Sequence, residues 1–320
     1  MVRLITAAIV LATLLPVTGA AREWAQFVSN AAVFLLFLLY GLRLSRSEVL
    51  AGLGNHRLLV PLVLWVFGGM TLAGWGLWQA GGAFLPPLLA LGFLYLGVLP
   101  STVQSATVYS SLAGGNVASS VVAAALVNIL AVFVSAPLFS LLADSKAAAF
   151  QTDTVVKVLT MLLLPFVMGQ VLQGFTRRWV AGHRPLIATM DRASIGIAVY
   201  VAFSGAVEQG IWTRVDGFAW FAVALGCAAA IGIGYGGAWL LGGWLRLPRG
   251  DRVAFLFAGA QKSMAMGAPL AVVLFPPRDA GIVMLPLLVY HLAQMVVAAP
   301  IAARLARGQA ETVSPAASSG

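Results

Sequence analysis

Ten apolar runs follow one another along the chain, separated only by short charged or Gly/Pro-rich breaks. They fall at 4–20, 24–42, 58–78, 84–112, 117–142, 155–174, 187–208, 217–243, 253–275 and 281–303. A run of roughly 20 apolar residues is what a helix needs to cross a bilayer. The pattern therefore predicts an all-α polytopic membrane protein of ten transmembrane helices. Composition agrees: 9% of residues are charged and 61% apolar, with mean hydropathy +0.95, whereas soluble domains carry about 25% charged residues. Ten spans in 320 residues leave no room for a soluble domain.

The charges orient the chain. Most of the 19 lysines and arginines fall on the side of the amino terminus, and only Arg22, Lys146, Lys157, Arg214 and Arg278 fall opposite, with Lys262 inside a span. By the positive-inside rule both termini are cytoplasmic. Losing or adding one mid-chain span would spoil this asymmetry. The net charge of +9 is scattered among loops, without a basic helix or interleaved aromatics, so it points to anionic lipid and not to nucleic acid. Arg3, the apolar run after it and Gly19-Ala20-Ala21 imitate a cleavable signal peptide. Pro16 and the second apolar run directly following favour an uncleaved first span.

Ten spans divide at the polar stretch 144–153 into two sets of five, 1–145 and 150–305, with a disordered cytoplasmic tail at 308–320. An odd number of spans per half makes the halves run in opposite senses, an inverted repeat. The fourth span is interrupted at Leu99-Pro100-Ser101-Thr102. The ninth is expected to break near Gly259 and again at Gly267-Ala268-Pro269. Paired broken helices at matched positions point to a midplane binding site.

Lys262 is the charge in this second broken segment. An ammonium at membrane depth costs roughly 3 kcal/mol on insertion scales, so it must face protein, water or a ligand. Every Asp and Glu lies in or beside a loop, which leaves Lys262 without an acidic partner. The candidate substrate- or ion-binding residues gather in three patches. The first holds Ser101, Thr102, Gln104, Ser105, Thr107, Asn116, Ser120 and Asn128. The second holds Gln261, Lys262 and Ser263, and the third Tyr290, His291 and Gln294. Where helices unwind, freed carbonyls can bind a cation and half-helix amino ends an anion. The competing reading of the Ser, Thr and Gly residues is close helix packing in lipid. His291 and Gln294, spaced i, i+3, share a helix side. His291 could relay protons or, neutral, donate to a backbone carbonyl.

Other chemistry finds little support. Cys227 lies in an apolar Gly/Ala-rich stretch and reads as a packing residue. The other histidines, His56 and His183, are in loops, which gives no metal-ligand set. Ala202-Phe203-Ser204-Gly205 faintly resembles an intramembrane serine protease motif but lacks its first glycine, and no enzyme or organic cofactor is expected.

The stretch 99–143 (LPSTVQSATVYSSLAGGNVASSVVAAALVNILAVFVSAPLFSLLA) carries a family resemblance. So do Tyr40-Gly41-Leu42 through Leu44-Ser45, 258–269 (AGAQKSMAMGAP) and 285–294 (LPLLVYHLAQ). Together they resemble the bile acid:sodium symporter superfamily, most closely its SBF-like bacterial branch. The resemblance implies a panel of spans one, two, six and seven, and a core of the rest in which the broken spans four and nine cross. It implies transport of organic anions by alternating access, often in symport with sodium. By position the family's sodium ligands fall on Ala106, Thr107, Ser120, Ala124 and Gln261, with Gln261 standing where sodium-coupled members keep a glutamate. Hard cations prefer a full oxygen shell and a negative charge. Two alanines and an amide supply neither, so the sequence argues against sodium coupling. Because burial disfavours a charged lysine, proton release from Lys262 is another possible coupling step. The expected function is a secondary transporter of a small or amphipathic organic anion. The alternative is a non-transporting membrane regulator or scaffold on the same fold.

Overall fold

A computed structural model describes residues 2–19, 21–43, 55–143, 156, 159–210, 213 and 215–313; the loop at 144–153 expected to divide the halves lies outside them. Every regular element among the described residues is helical. These are α1 (Val2–Leu14), α2 (Ala21–Arg43), α3 (His56–Gly81), α4 (Pro87–Val98), α5 (Val103–Leu112), α6 (Val117–Leu142), α7 (Leu159–Gly182), α8 (Arg184–Glu208), α9 (Gly217–Trp244), α10 (Arg249–Ala260), α11 (Met264–Leu274), α12 (Pro277–Val283) and α13 (Leu285–Val313).

Among the described residues seven spans are long and apolar enough to cross a membrane, the last of them made by α12 and α13 together. The count is eight when α4 and α5, bent by 62°, are taken as one. Several boundaries depart from the sequence reading. The first run forms only the 13 residues of α1, about 20 Å at about 1.5 Å per residue and short of the ~30 Å core. Pro16 has no N–H and restricts the residue before it, so the helix ends early. The ninth run breaks once, at Gln261–Ser263 just past Gly259, and not again at Gly267-Ala268-Pro269, which lies inside α11. Gly259 serves close approach: a Cβ there would meet the Trp65 ring at 2.9 Å. Pro269 is accommodated within α11. At the other end α13 continues to Val313, into the stretch expected to be a polar tail; residues 314–320 lie outside the described set.

Packing gathers the helices into two groups. In one, α2 lies along α7 and α8, and α1 against α8. Gly41 and Gly169 let the α2 and α7 backbones touch, because a Cβ on either would collide with a carbonyl of the other helix. Gln170 Nε2 then reaches Gly41 O at 2.6 Å. Ion pairs Arg22–Glu208 and Arg43–Asp191 fasten α2 to α8 at both ends. Between those arginines α2 spans about 32 Å, close to the hydrocarbon thickness. In the other group α3 packs on α4, α9 on α10, and α10 on both α5 and α6. The groups meet where α8 lies against α12 and α11. α4, α10 and α11 are buried nearly all round, as helices apolar on every face must be.

Candidate functional site

The two breaks share a local geometry. Pro100 cannot donate to the α4 ladder and forces extended backbone on its predecessor, so α4 closes at Leu99 with φ −78° and ψ 149°. The matching residue at the end of α10, Gln261, has φ −77° and ψ 149°. α5 then starts from Thr102 (φ −88°, ψ 113°) and α11 from Ser263 (φ −93°, ψ 107°). Ser263 caps α11, accepting from Met266 N at 3.2 Å. The breaks touch: Ser263 N donates to Pro100 O at 2.9 Å.

Breaking α4 frees its last carbonyls, which in a dry interior must find donors. Lys262, fully buried, supplies two of them, Nζ donating to Gly97 O at 2.8 Å and to Leu99 O at 2.7 Å. Ser135 Oγ serves Val98 O at 2.7 Å and Asn128 Nδ2 serves Ser101 O at 2.6 Å. The ammonium thus lies at a helix carboxyl end, where the peptide dipoles favour positive charge. No carboxylate pairs with it among the described residues.

The backbone of Lys262 is clamped as tightly as its side chain. Its N–H donates to Gln294 Oε1 at 2.8 Å, and its carbonyl accepts from Thr102 Oγ1 at 2.8 Å and Gln294 Nε2 at 3.0 Å. With Oε1 committed as an acceptor, the nitrogen of Gln294 is the atom 2.9 Å from His291 Nδ1. His291 Nδ1 also lies 3.4 Å from Lys262 O, a backbone carbonyl of the kind that a neutral His291 was expected to meet. Tyr290 donates to Ala260 O at 2.5 Å, closing the end of α10.

Gln261 accepts from Ser105 Oγ, and its amide faces the Tyr235 hydroxyl. Ser101 Oγ, Thr107 Oγ1 and Trp65 Nε1 are buried with no partner. Each such buried atom costs about 1–3 kcal/mol unless something bonds to it, so these groups mark where a ligand or water would gain most. Tyr235 and Trp65 were not legible as candidates: both sit in Gly-rich helix stretches that read as packing.

The crossing therefore brings together Ser101, Thr102, Ser105, Asn128, Gln261, Lys262, Ser263, Tyr290, His291 and Gln294. Gln104 does not join it and is exposed on α5. Asn116 does not join it either: it caps α6, accepting from Ser119 N at 3.1 Å. Ser120 bonds to Ser110 at 3.0 Å, and Ala106 and Ala124 are buried. Sequence reasoning missed Asp251, which it took for a loop charge. Its carboxylate accepts from Asn55 at 3.1 Å, Asn116 at 2.8 Å and Ser119 at 2.9 Å, tying the amino ends of α10 and α6 to the start of α3.

Comparison with known proteins places the chain in a family. The chain is 34% identical over 302 residues to an uncharacterized protein of Pseudomonas aeruginosa, covering 94% of this chain and 91% of that one. It is 35% identical over 308 residues to YfeH of Escherichia coli, named as a symporter, covering 93% and 90%. With the mouse sodium/bile acid cotransporter 7 it shares 23% identity over 278 residues, 84% and 80% of the two chains. The family model of SBF-like CPA transporters matches residues 1–307. A multi-pass helical protein with paired broken helices and nearly full-length kinship of this kind belongs to the SBF-like CPA transporter family, and is a membrane transporter.

Proposed function

We propose that this protein is a secondary transporter that carries a small or amphipathic organic anion across the cytoplasmic membrane by alternating access, with Lys262 acting at the crossing as a covalently attached cation. The observation that carries this reading is the pair of hydrogen bonds from Lys262 Nζ to Gly97 O and Leu99 O, at 2.8 and 2.7 Å. Carbonyls released at the carboxyl end of a half-helix are groups that hold coupling cations in transporters with broken helices. Here an ammonium already holds them. Sodium would need a shell of oxygens and preferably a negative charge. Gln261 offers a neutral amide whose oxygen is engaged by Ser105, and Ala106 and Ala124 offer no side-chain oxygen. Transport independent of sodium is the expected consequence. An ammonium at the crossing also raises the potential around it, where Thr107 Oγ1 is buried without a partner, and this favours an anionic cargo. The name of the mouse relative, a sodium/bile acid cotransporter, supports the same cargo class.

The reading rests on two inverted five-helix repeats, 1–145 and 150–305, with both termini cytoplasmic. Support comes from the equal first halves of the broken spans, 12 residues each in α4 and α10, and from their near-identical closing angles. The α1, α2, α7 and α8 group would form the panel against which the remaining helices slide or rock. The test is uptake of a panel of radiolabelled organic anions into proteoliposomes, in sodium or choline and across pH. Flux that persists in choline is expected, and Lys262→Ala is expected to abolish it or make it sodium-dependent. Strict sodium dependence of the wild type would overturn the role of Lys262, and substrate binding without flux would favour the regulator reading.

A further inference from the structure

The corner between α9 and α10 has features that the crossing does not use. The chain leaves α9 after Trp244 and turns through Arg246, the one non-glycine residue with positive φ among the described residues (51°). That conformation is uncommon for a side-chain-bearing residue, and it leaves Arg246 exposed at the turn. Along the outer face of α9 from this point runs a groove of about 580 Å³ lined by Gly237, Leu240, Leu241, Gly243, Trp244 and Arg252. Leu240 is 71% and Trp244 85% exposed. A tryptophan that open at the end of a membrane helix marks the headgroup level.

Arg252 stands at the mouth of the groove and is held there. Its guanidinium carbon lies 3.8 Å from the centre of the Trp239 ring, and its Nε donates to Trp239 O at 3.0 Å. Gly243 makes room for it, since a Cβ there would come within 2.7 Å of the guanidinium. Among the described residues no carboxylate pairs with Arg252. Asp251 beside it is turned to Asn55, Asn116 and Ser119. An oriented guanidinium with its terminal nitrogens uncommitted is suited to a phosphate diester, and the apolar walls beyond it are suited to an acyl chain.

We propose that this groove is a binding site for an anionic phospholipid, its phosphate on Arg252 with Arg246 adding charge, and its acyl chain along Leu240, Leu241 and Gly237. A second copy of the chain is a poorer occupant, because a two-fold contact centred on this groove would gather the arginines of both copies near one axis. Free phosphate would match the guanidinium but leave the groove unused.

The test uses the full-length protein, delipidated in detergent and titrated with phosphatidylglycerol, phosphatidylcholine or inorganic phosphate under native mass spectrometry. Phosphatidylglycerol is expected to bind about tenfold more tightly than phosphatidylcholine, and Arg252→Gln to erase that preference. Leu240→Trp, which fills the groove from an exposed position and leaves the arginine stack intact, is expected to weaken both lipids. It keeps the test decisive should Arg252→Gln fail to fold. Equal affinity for the two lipids, lipid binding unaffected by Leu240→Trp, phosphate competing as strongly as the lipid, or dimers forming through this face would each overturn the proposal.

Discussion

Replacing Lys262 by Met keeps an unbranched, flexible side chain one atom shorter and removes its charge. The two hydrogen bonds to Gly97 O and Leu99 O disappear, and both carbonyls remain buried. An unsatisfied buried acceptor costs about 1–3 kcal/mol, so the loss is about 2–6 kcal/mol before relaxation. Part of it is offset because an ammonium no longer has to be desolvated. Lys262→Ala differs in leaving space beside the same carbonyls, where a monovalent cation and its water can enter. With sodium at about 100 mM and a dissociation constant of about 10 mM, binding would restore about 1.4 kcal/mol. Thermal unfolding of the purified protein in sodium chloride and in choline chloride, at one ionic strength, separates these cases. The wild type should unfold at the same temperature in both salts. Lys262→Met should be lowered equally in both, and Lys262→Ala should be lowered in choline and partly recovered in sodium. A wild type stabilised by sodium as much as the alanine variant would refute the idea that the lysine holds the cation position. So would a methionine variant as stable as the wild type.

Three further outcomes are expected. Gln294→Leu removes partners from both the N–H and the carbonyl of Lys262 and should destabilise by about 2–4 kcal/mol, with loss of uptake measured in the same proteoliposomes. Gly169→Val drives a branched side chain into Leu38 O and should separate α2 from α7, costing at least about 3 kcal/mol in chemical unfolding. Asp251→Ala strands Asn55, Asn116 and Ser119 and should lower stability by about 1–3 kcal/mol, whereas Asp251→Asn, which keeps an acceptor, should lower it less.

The helical class, the breaks and the importance of Lys262 were legible because each rests on a rule that acts within one stretch of chain. Apolar run length, proline's missing donor and the expense of a charge in lipid need no knowledge of neighbours. Less legible were outcomes decided by contacts between distant segments. Gly259 reads as a breaker, yet it stays helical and the break falls just after it, while its missing Cβ leaves room for the Trp65 ring. Gln104 and Asn116 are polar and close in sequence to the first break, but one faces outward and the other caps α6. Periodicity could not separate them from Asn128, which reaches Ser101 O from the next helix. Tyr235 and Asp251 were hidden for the opposite reason, since nothing local distinguishes them from a packing aromatic and a loop acid. The first run was over-extended because hydropathy continued past Pro16, where hydrogen bonding could not.

An interrupted helix is often pictured as a weak point that bends. Here the carbonyls from Gly97 to Ser101 are all bonded to groups from other parts of the chain: Lys262, Ser135, Ser263 and Asn128. Flexing one interruption without the other would tear these bonds in a medium that offers no water to replace them. The two interruptions are thus laced into one stiff node, and a conformational cycle would have to carry that node as a unit. Amide hydrogens such as that of Ser263, though outside any helix, should then exchange with solvent as slowly as those of the buried helices around them.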